Sequence, residues 1–450
     1  MNDQNKTTRS SNKGYSILKQ SIDEKRLKEI RKELTIQPFE KDIFMLRKMN
    51  RALPEKFTVF AESKSRIYLP KFFGLKNFKK PYENRTNPEQ IHAEFKGDLR
   101  ENQKEIIKSF LPKFYSDAGG ILNVKTGGGK TCMACYIISK LKVKTLILVH
   151  KQFLADQWIS RINQFLPNVK ISKIQGKTVD SSGDIVLGMI QSISSKKFDA
   201  DFFKSFGLTV VDECHHIASK IFSTVFLKCS SNYHLGLSAT TQRKDGTSFV
   251  LNYFLGETFE YGNDSKGFGT VHIYKREFAD PIHQKEIFNY NGTKNYSGML
   301  TNLAKSQKRV KFIIDEIKNL REKDPTRHFL ILSERKSLLE DLSIQLEDEG
   351  LEYGFAIGGV KQNDLENNCL RQIVLATYSY VSEGFDVPTL DSLILATPKS
   401  DIVQSVGRIL RLEEKDRKNI PFIVDIVDKG FERQYNVRKK YYKKMQFVIS

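Results

Sequence analysis

Strand-length apolar runs alternate with amphipathic stretches of helical length twice over in this chain, and that grammar constrains its fold more than any other feature. The first series holds TLILVH (145–150), DIVLGM (184–189), LTVVDE (208–213) and YHLGLSAT (233–240). The second restarts after residue 300 with HFLILS (328–333), EYGFAIG (352–358), QIVLATY (372–378), SLILATP (392–398) and PFIVDIV (421–427). A run that is apolar at every position belongs to a strand covered on both faces, and helices between such strands are the crossovers of a parallel sheet. The expected class is therefore α/β, with two tandem doubly wound parallel-sheet domains at 91–260 and 301–450. A connector rich in Gly, Asn and Tyr is expected at 261–300. Residues 1–90 read as a small accessory region: a polar tail, then basic helical periodicity, then strand-like alternation over 57–78 punctuated by Pro and Gly.

VKTGGGKT (124–131) lies between a short apolar strand and a helical run, and a glycine-rich turn in that setting is a phosphate cradle. Thr126, Gly127, Gly128 and Gly129 let backbone N–H groups and a helix N-terminus face the anion. Lys130 would reach the β- and γ-phosphates, and the Thr131 hydroxyl would ligate Mg²⁺. The strict pattern opens with Gly where this chain has Val124. Downstream, LTVVDECHH (208–216) delivers Asp212 to the carboxyl end of an apolar strand, where it can hold Mg²⁺, and places Glu213 to polarise an attacking water. ATP and Mg²⁺ are the cofactors implied.

The spacing Cys132–Cys135, with Cys214, His215 and His216, raises a metal reading as well. The first pair falls on the helix after the phosphate loop, where a spacing of three faces the core, and no second CxxC completes a tetrahedral site. Five cysteines are too few and too odd in number for a disulfide framework, which points to a reducing compartment. No stretch has the apolar length of a membrane span, and the N-terminus has no signal-peptide core, so an intracellular protein without a membrane partner is expected.

A formal charge of +20 narrows the partners, because excess Lys and Arg attract polyanions, nucleic acid foremost. Residues 1–98 carry 22 Lys and Arg against 13 Asp and Glu, a surplus of nine that makes this region a candidate binding surface. A solvated basic face or an acidic protein partner would show the same surplus. Phe72 and Phe73, beside Lys71, could stack on bases or simply pack the accessory region. Trp158, the one tryptophan, reads as a core residue.

Taken in order, these segments resemble the DExH-box helicases of superfamily 2. DECH (212–215) resembles the box itself, DLRENQ (98–103) the element upstream of the phosphate loop, LILVHKQFLADQW (146–158) motif Ia and SAT (238–240) motif III. TYSYVSEGFDVP (377–388) and QSVGRILR (404–411) resemble motifs V and VI. The resemblance implies two RecA-like domains with an ATP site divided between them. It also implies that Arg100 and Gln103 lie near the adenine and that Gly384 and Asp386 lie by the nucleotide. Arg408 and Arg411 become arginine-finger candidates, with Gln404 touching the γ-phosphate or water. Thr377, His215, Ser238 and Thr240 would couple the nucleotide to nucleic acid, although Ser238 and Thr240 also suit plain strand-end capping. Lys151 and Gln152 would contact the phosphate backbone or face solvent.

GLSATTQRKDG (236–246) is similar to the poxvirus transcript-release and XPB branch, and IYLPKFFG (67–74) and FERQYNVRKKYYKK (431–444) resemble its viral and phage members. The function implied is an ATP-dependent DNA helicase of transcription or repair with 3′-to-5′ polarity. Its substrate would be a tailed duplex or DNA:RNA hybrid and the transcription machinery a partner, in host cytoplasm or nucleus, or in a virion. An RNA helicase and a non-unwinding double-strand translocase share the same motor chemistry. A scaffold that binds nucleic acid without turnover is disfavoured by the intact Lys130, Asp212, Glu213 and Arg408.

Overall fold

Each long apolar run becomes a strand of one of two parallel sheets. The computed structural model describes residues 7–38, 55–125, 127–216, 219–239, 246–261, 269–360, 362–382, 387–412 and 414–450. The chain divides into two units, Met1–Asn263 and Asp264–Ser450. In the first, eight strands pair in the order Thr178–Val179, Ile171–Gln175, Ile185–Met189, Thr145–Val149, Leu208–Val211, Tyr233–Ser238, Gly119–Val124, Thr258–Tyr261. Every pairing is parallel except the edge hairpin that sets Ile174 opposite Val179.

The pleat sorts side chains to two faces, as a doubly wound sheet requires. Ile147 and Val149 join one buried cluster, with Met133, Ile137 and Trp158 from the helices Lys130–Leu141 and Gln152–Phe165. Their neighbours Leu146 and Leu148 join the other, with Phe222, Phe226 and Phe254 from the helices Ser219–Phe226 and Ser248–Leu255. Both faces being covered is why these strands are apolar at every position.

The accessory region folds as a five-stranded sheet in the order Ala61–Glu62, Arg66–Leu69, Gly14–Leu18, Thr8–Ser11, Glu83–Asn84. Its inner face is continuous with the large sheet's core, since Tyr15, Ile17, Ile67, Leu69 and Phe73 lie in one cluster with Phe222, Phe226 and Phe254. Of the two readings of Phe72 and Phe73, packing is the one observed. Phe73 meets Tyr253 edge-on at 5.2 Å and Phe72 meets His234 at 5.7 Å. Gly74 lets the same segment close on the strand Gly14–Leu18, because a Cβ there would stand 2.2 Å from the Tyr15 ring. Lys71 is buried, and its Nζ donates to Ala118 O at 3.2 Å, to Ser231 O at 3.3 Å and to Asn232 O. One lysine thus clamps a helix end and a strand entry of the large sheet to the accessory region.

The second unit is built on seven strands, all parallel, in the order Tyr353–Ala356, Ile373–Thr377, Phe329–Ser333, Ser392–Leu395, Phe422–Asp428, His272–Phe278, Val448–Ile449. His272–Phe278 lies inside 261–300, the stretch read from sequence as a connector, and the helix Tyr296–Leu303 begins in it. The strand escaped notice because it has only a two-residue neighbour on one side and is half covered. HIYKREF is therefore mixed rather than apolar throughout. Among the described residues no helix is long and apolar enough to cross a membrane.

Lys71→Met keeps the apolar stem of the clamp but takes the donor from the Ser231 and Asn232 carbonyls and leaves Ala118 O only the His234 amide, and an unmade buried hydrogen bond is costly. Stability should fall by about 2 kcal/mol, read as a lower urea midpoint with an unchanged m-value. An unaltered midpoint would show that the clamp contributes nothing.

Candidate functional site

Three neighbouring strands of the first sheet end side by side, and each passes a chemistry-bearing segment to the same rim. Leu208–Val211 leads to Asp212 and Glu213, Tyr233–Ser238 ends on Ser238, and Gly119–Val124 leads into the glycine loop. Val211 pairs with Gly236 and Ser238 with Asn123, so the three carboxyl ends are level. In an open parallel sheet this is the rim where ligands bind.

The loop is shaped by conformations that only glycine adopts cheaply. Gly127 and Gly129 have φ of +83° and +81°, and Gly129 is the N-cap of the helix Lys130–Leu141. A Cβ on Gly129 would stand 2.0 Å from Gln103 Nε2, and one on Gly128 would stand 2.4 Å from Val124 Cγ1. Gln103 is a strut beneath the loop: its Nε2 donates to Gly128 O at 3.3 Å while its Oε1 accepts from Arg100 N at 3.0 Å. Arg100 begins the same helix and its side chain is exposed. Lys130 Nζ donates back to Val124 O at 3.1 Å, and Thr131 follows in the first helical turn. Thr126 and Thr240 lie outside the described residues.

Asp212 is buried and held from two directions. Trp158 Nε1 donates to its Oδ2 at 2.9 Å, and the Glu213 amide donates to its Oδ1 at 2.9 Å. Burial first, and the Glu213 charge second, push the Asp212 carboxyl up to about 6, while Trp158 and Lys130 oppose the shift. Glu213 itself sits at φ +45°, in the left-handed region that few non-glycine residues occupy. Its Oε2 is 3.5 Å from His215 Nδ1, and that nitrogen is hydrogen-bonded to Ser238 Oγ at 2.7 Å. A polar relay therefore runs from the acidic pair to the neighbouring strand end. Sequence placed Trp158 in the core but missed its polar atom; a buried indole N–H requires an acceptor, and this one finds Asp212.

The residues present fit a nucleoside triphosphate and a divalent metal. A Cβ at Gly128 or Gly129 would clash, Gly129 caps the helix whose N-terminus suits an anion, and the Lys130 ammonium is near enough for its charge to act on the Asp212 carboxyl. Cys135 lies in the apolar core, where burial pushes its thiol up.

Lys151 and Gln152 follow Thr145–Val149, the next strand along the rim. Burial lowers the Lys151 ammonium pKa, and Gln152 Nε2 donates to Asp156 Oδ1 at 2.9 Å.

In the second unit, Thr377 closes the strand Ile373–Thr377, with its Oγ1 3.3 Å from Ser379 Oγ. Gln404 lies in the short helix Val403–Val406. That helix ends before Arg408 and Arg411, which sit in and just after a turn rather than on one helix face. Arg408 N donates to Ser405 O at 3.1 Å, and the Arg408 side chain is buried. Gly384 and Asp386 lie outside the described residues. A residue that sequence reasoning passed over, Arg309, is wholly buried. Its guanidinium grips both carboxylate oxygens of Asp428, at 2.5 and 3.0 Å, and donates through Nε to Ala396 O at 2.8 Å. It thereby holds the segment that leads to Gln404.

Residues 96–243 match the family described as Type III restriction enzyme, res subunit. The chain is 33% identical to a protein of Acanthamoeba polyphaga mimivirus named an ATP-dependent RNA helicase, a match covering 97% of this chain and 85% of that one. It is 28% identical to a protein of African swine fever virus with the same name, over 87% of this chain and 82% of the relative. Among solved structures it is similar to Saccharomyces cerevisiae Dbp5 bound to RNA and ADP–BeF3, with a TM-score of 0.52 and 12% identity over 78% of this chain and 94% of that one. That likeness agrees in fold with two RecA-like domains.

An acid whose folded pKa is raised favours the folded state below its unfolded pKa, and that stability is lost as pH rises through the folded value. For Asp212 the window runs from about 4 to about 6. In metal-free protein, the thermal midpoint of wild type should therefore fall relative to Asp212→Asn across this window. Parallel curves would mean that Asp212 is not raised.

Proposed function

We propose a mechanism for this chain from the family to which it belongs, the ATP-dependent superfamily 2 helicases of large DNA viruses. The observation that carries the residue assignments is the level rim of three strand ends, with Gln103 bracing the glycine loop and Trp158 holding Asp212. Gly127, Gly128, Gly129 and Lys130 cradle the triphosphate, and Thr131 and Asp212 hold its metal. Mg²⁺, when bound, neutralises charge on the β- and γ-phosphates. Glu213 accepts a proton from the attacking water, and His215 keeps the Glu213 carboxylate oriented toward the rim. Arg408 and Arg411 of the second domain, with Gln404, supply fixed donors to the charge that builds on the γ-phosphate. ATP held by both domains favours a closed arrangement that hydrolysis releases, and alternate closing and opening along a strand is translocation.

The substrate is DNA, gripped through its phosphates by Lys151, Gln152 and Thr377 and by the basic surplus of residues 1–98. GLSATTQRKDG supports placement in the poxvirus transcript-release and XPB branch, and hence a role in transcription or repair. RNA is the second reading, favoured by the names of the mimivirus and African swine fever virus relatives.

Strand displacement on matched DNA and RNA duplexes with 3′ or 5′ tails tests this directly, with Glu213→Gln as the control. The DNA duplex with a 3′ tail should be opened, and Glu213→Gln should bind ATP without turning it over. Displacement of the RNA duplex alone would establish the second reading, and hydrolysis at the wild-type rate by Glu213→Gln would remove Glu213 as the base.

A further inference from the structure

In the second unit a small hairpin stands clear of the fold with two aromatic rings in water. Phe288 and Lys294 form an antiparallel bridge across it. The Asn289 amide donates to Thr293 O at 2.7 Å, the Gly292 amide to Asn289 O at 2.9 Å and the Asn295 amide to Ile287 O at 2.7 Å. Side chains lace the turn as well, Thr293 Oγ1 donating to Asn291 Oδ1 at 2.6 Å and Asn289 Nδ2 to Thr293 Oγ1 at 3.1 Å. Gly292 takes the left-handed conformation at the apex, φ +74°, and a Cβ there would meet nothing. Tyr290 is 110% exposed and Phe288 54% exposed. A large ring held wholly in water on a laced turn is not a folding device.

The root of the hairpin fixes where it stands. Gln284 Nε2 donates to Phe278 O at 2.9 Å and to Asp428 Oδ1 at 3.0 Å, and both acceptors end their strands. Arg335, just past the strand Phe329–Ser333, donates to Ser297 O at 2.9 Å and to Thr301 Oγ1 at 3.0 Å. Strands of this sheet are all parallel, so these anchors are carboxyl ends, on the rim that also carries Thr377. Exposed Lys285 flanks the rings on one side, and Lys294 on the other is paired with Glu286. Two rings separated by Asn, Gly and Thr offer too little apolar area for a stable protein interface, but a π-face suits a base, which stacks without burying its polar edge.

We propose that the hairpin 287–295 stacks Tyr290, supported by Phe288, on an unpaired base of the strand that the motor tracks. This rests on the motor reading above and adds a contact outside its ATP machinery. Because stacking is worth roughly 1–3 kcal/mol per base, Tyr290→Ala in the full chain should weaken binding of a single-stranded DNA oligonucleotide roughly 5- to 150-fold. Tyr290→Phe should restore it. The salt dependence should keep its slope, since no phosphate contact is lost, and ATP hydrolysis without nucleic acid should be unchanged. A 2-aminopurine in the oligonucleotide should be quenched by wild type and not by Tyr290→Ala. Wild-type affinity and quenching in Tyr290→Ala would overturn the proposal and leave the rings to a protein partner. A wild-type chain that binds no strand would instead overturn the motor reading, and this contact with it.

Discussion

A parallel sheet sends every carboxyl end to one rim, and both halves of this protein depend on that constraint. Each crossover helix begins there, so its N-terminal N–H groups, and the residues just before it, face a common crevice. In the first unit the rim collects the glycine loop, Asp212, Ser238 and Lys151 from four neighbouring strands. In the second it carries Thr377 and the anchors of the aromatic hairpin. The polar residues at the first rim are not independent. Gln103 braces the loop from below, Trp158 holds one oxygen of Asp212, and His215 joins Glu213 to Ser238. The Asp212 carboxylate is thus kept buried and oriented by an indole N–H, which adds no charge of its own.

The parts of this arrangement legible in sequence were those with a local signature. All-apolar runs mark strands covered on both faces, and a glycine triplet before Lys130 marks backbone that must run at positive φ beside Val124 and Gln103. What stayed hidden depended on contacts between distant segments. Trp158 and Asp212 are far apart in sequence, and nothing in either local pattern names the other. His272–Phe278 was read as connector because Lys275, Arg276 and Glu277 break its apolar run. Arg309 carries no local signature, yet it is wholly buried, with its guanidinium on both carboxylate oxygens of Asp428 at the end of a strand.

The accessory region shows the same limit. Its basic surplus was plain, but the packing of its inner face was not, because Phe72, Phe73 and Lys71 looked equally suited to bases. Phe73 and Lys71 are buried against the first sheet, and Phe72 packs on His234. Any grip on nucleic acid from this region must therefore come from its outer lysines and arginines. Deleting residues 1–90 would strip a core as well as a charge, so point substitutions are the cleaner probe.

The central claim is that the rim of the first sheet hydrolyses ATP in response to nucleic acid. The most direct measurement is the ATP turnover rate of the full chain with and without DNA, beside Lys130→Ala, which removes the ammonium at the phosphates and leaves the loop backbone in place. Turnover that rises with DNA in wild type and is lost in Lys130→Ala is the expected result. Turnover indifferent to DNA, or retained without Lys130, would contradict it.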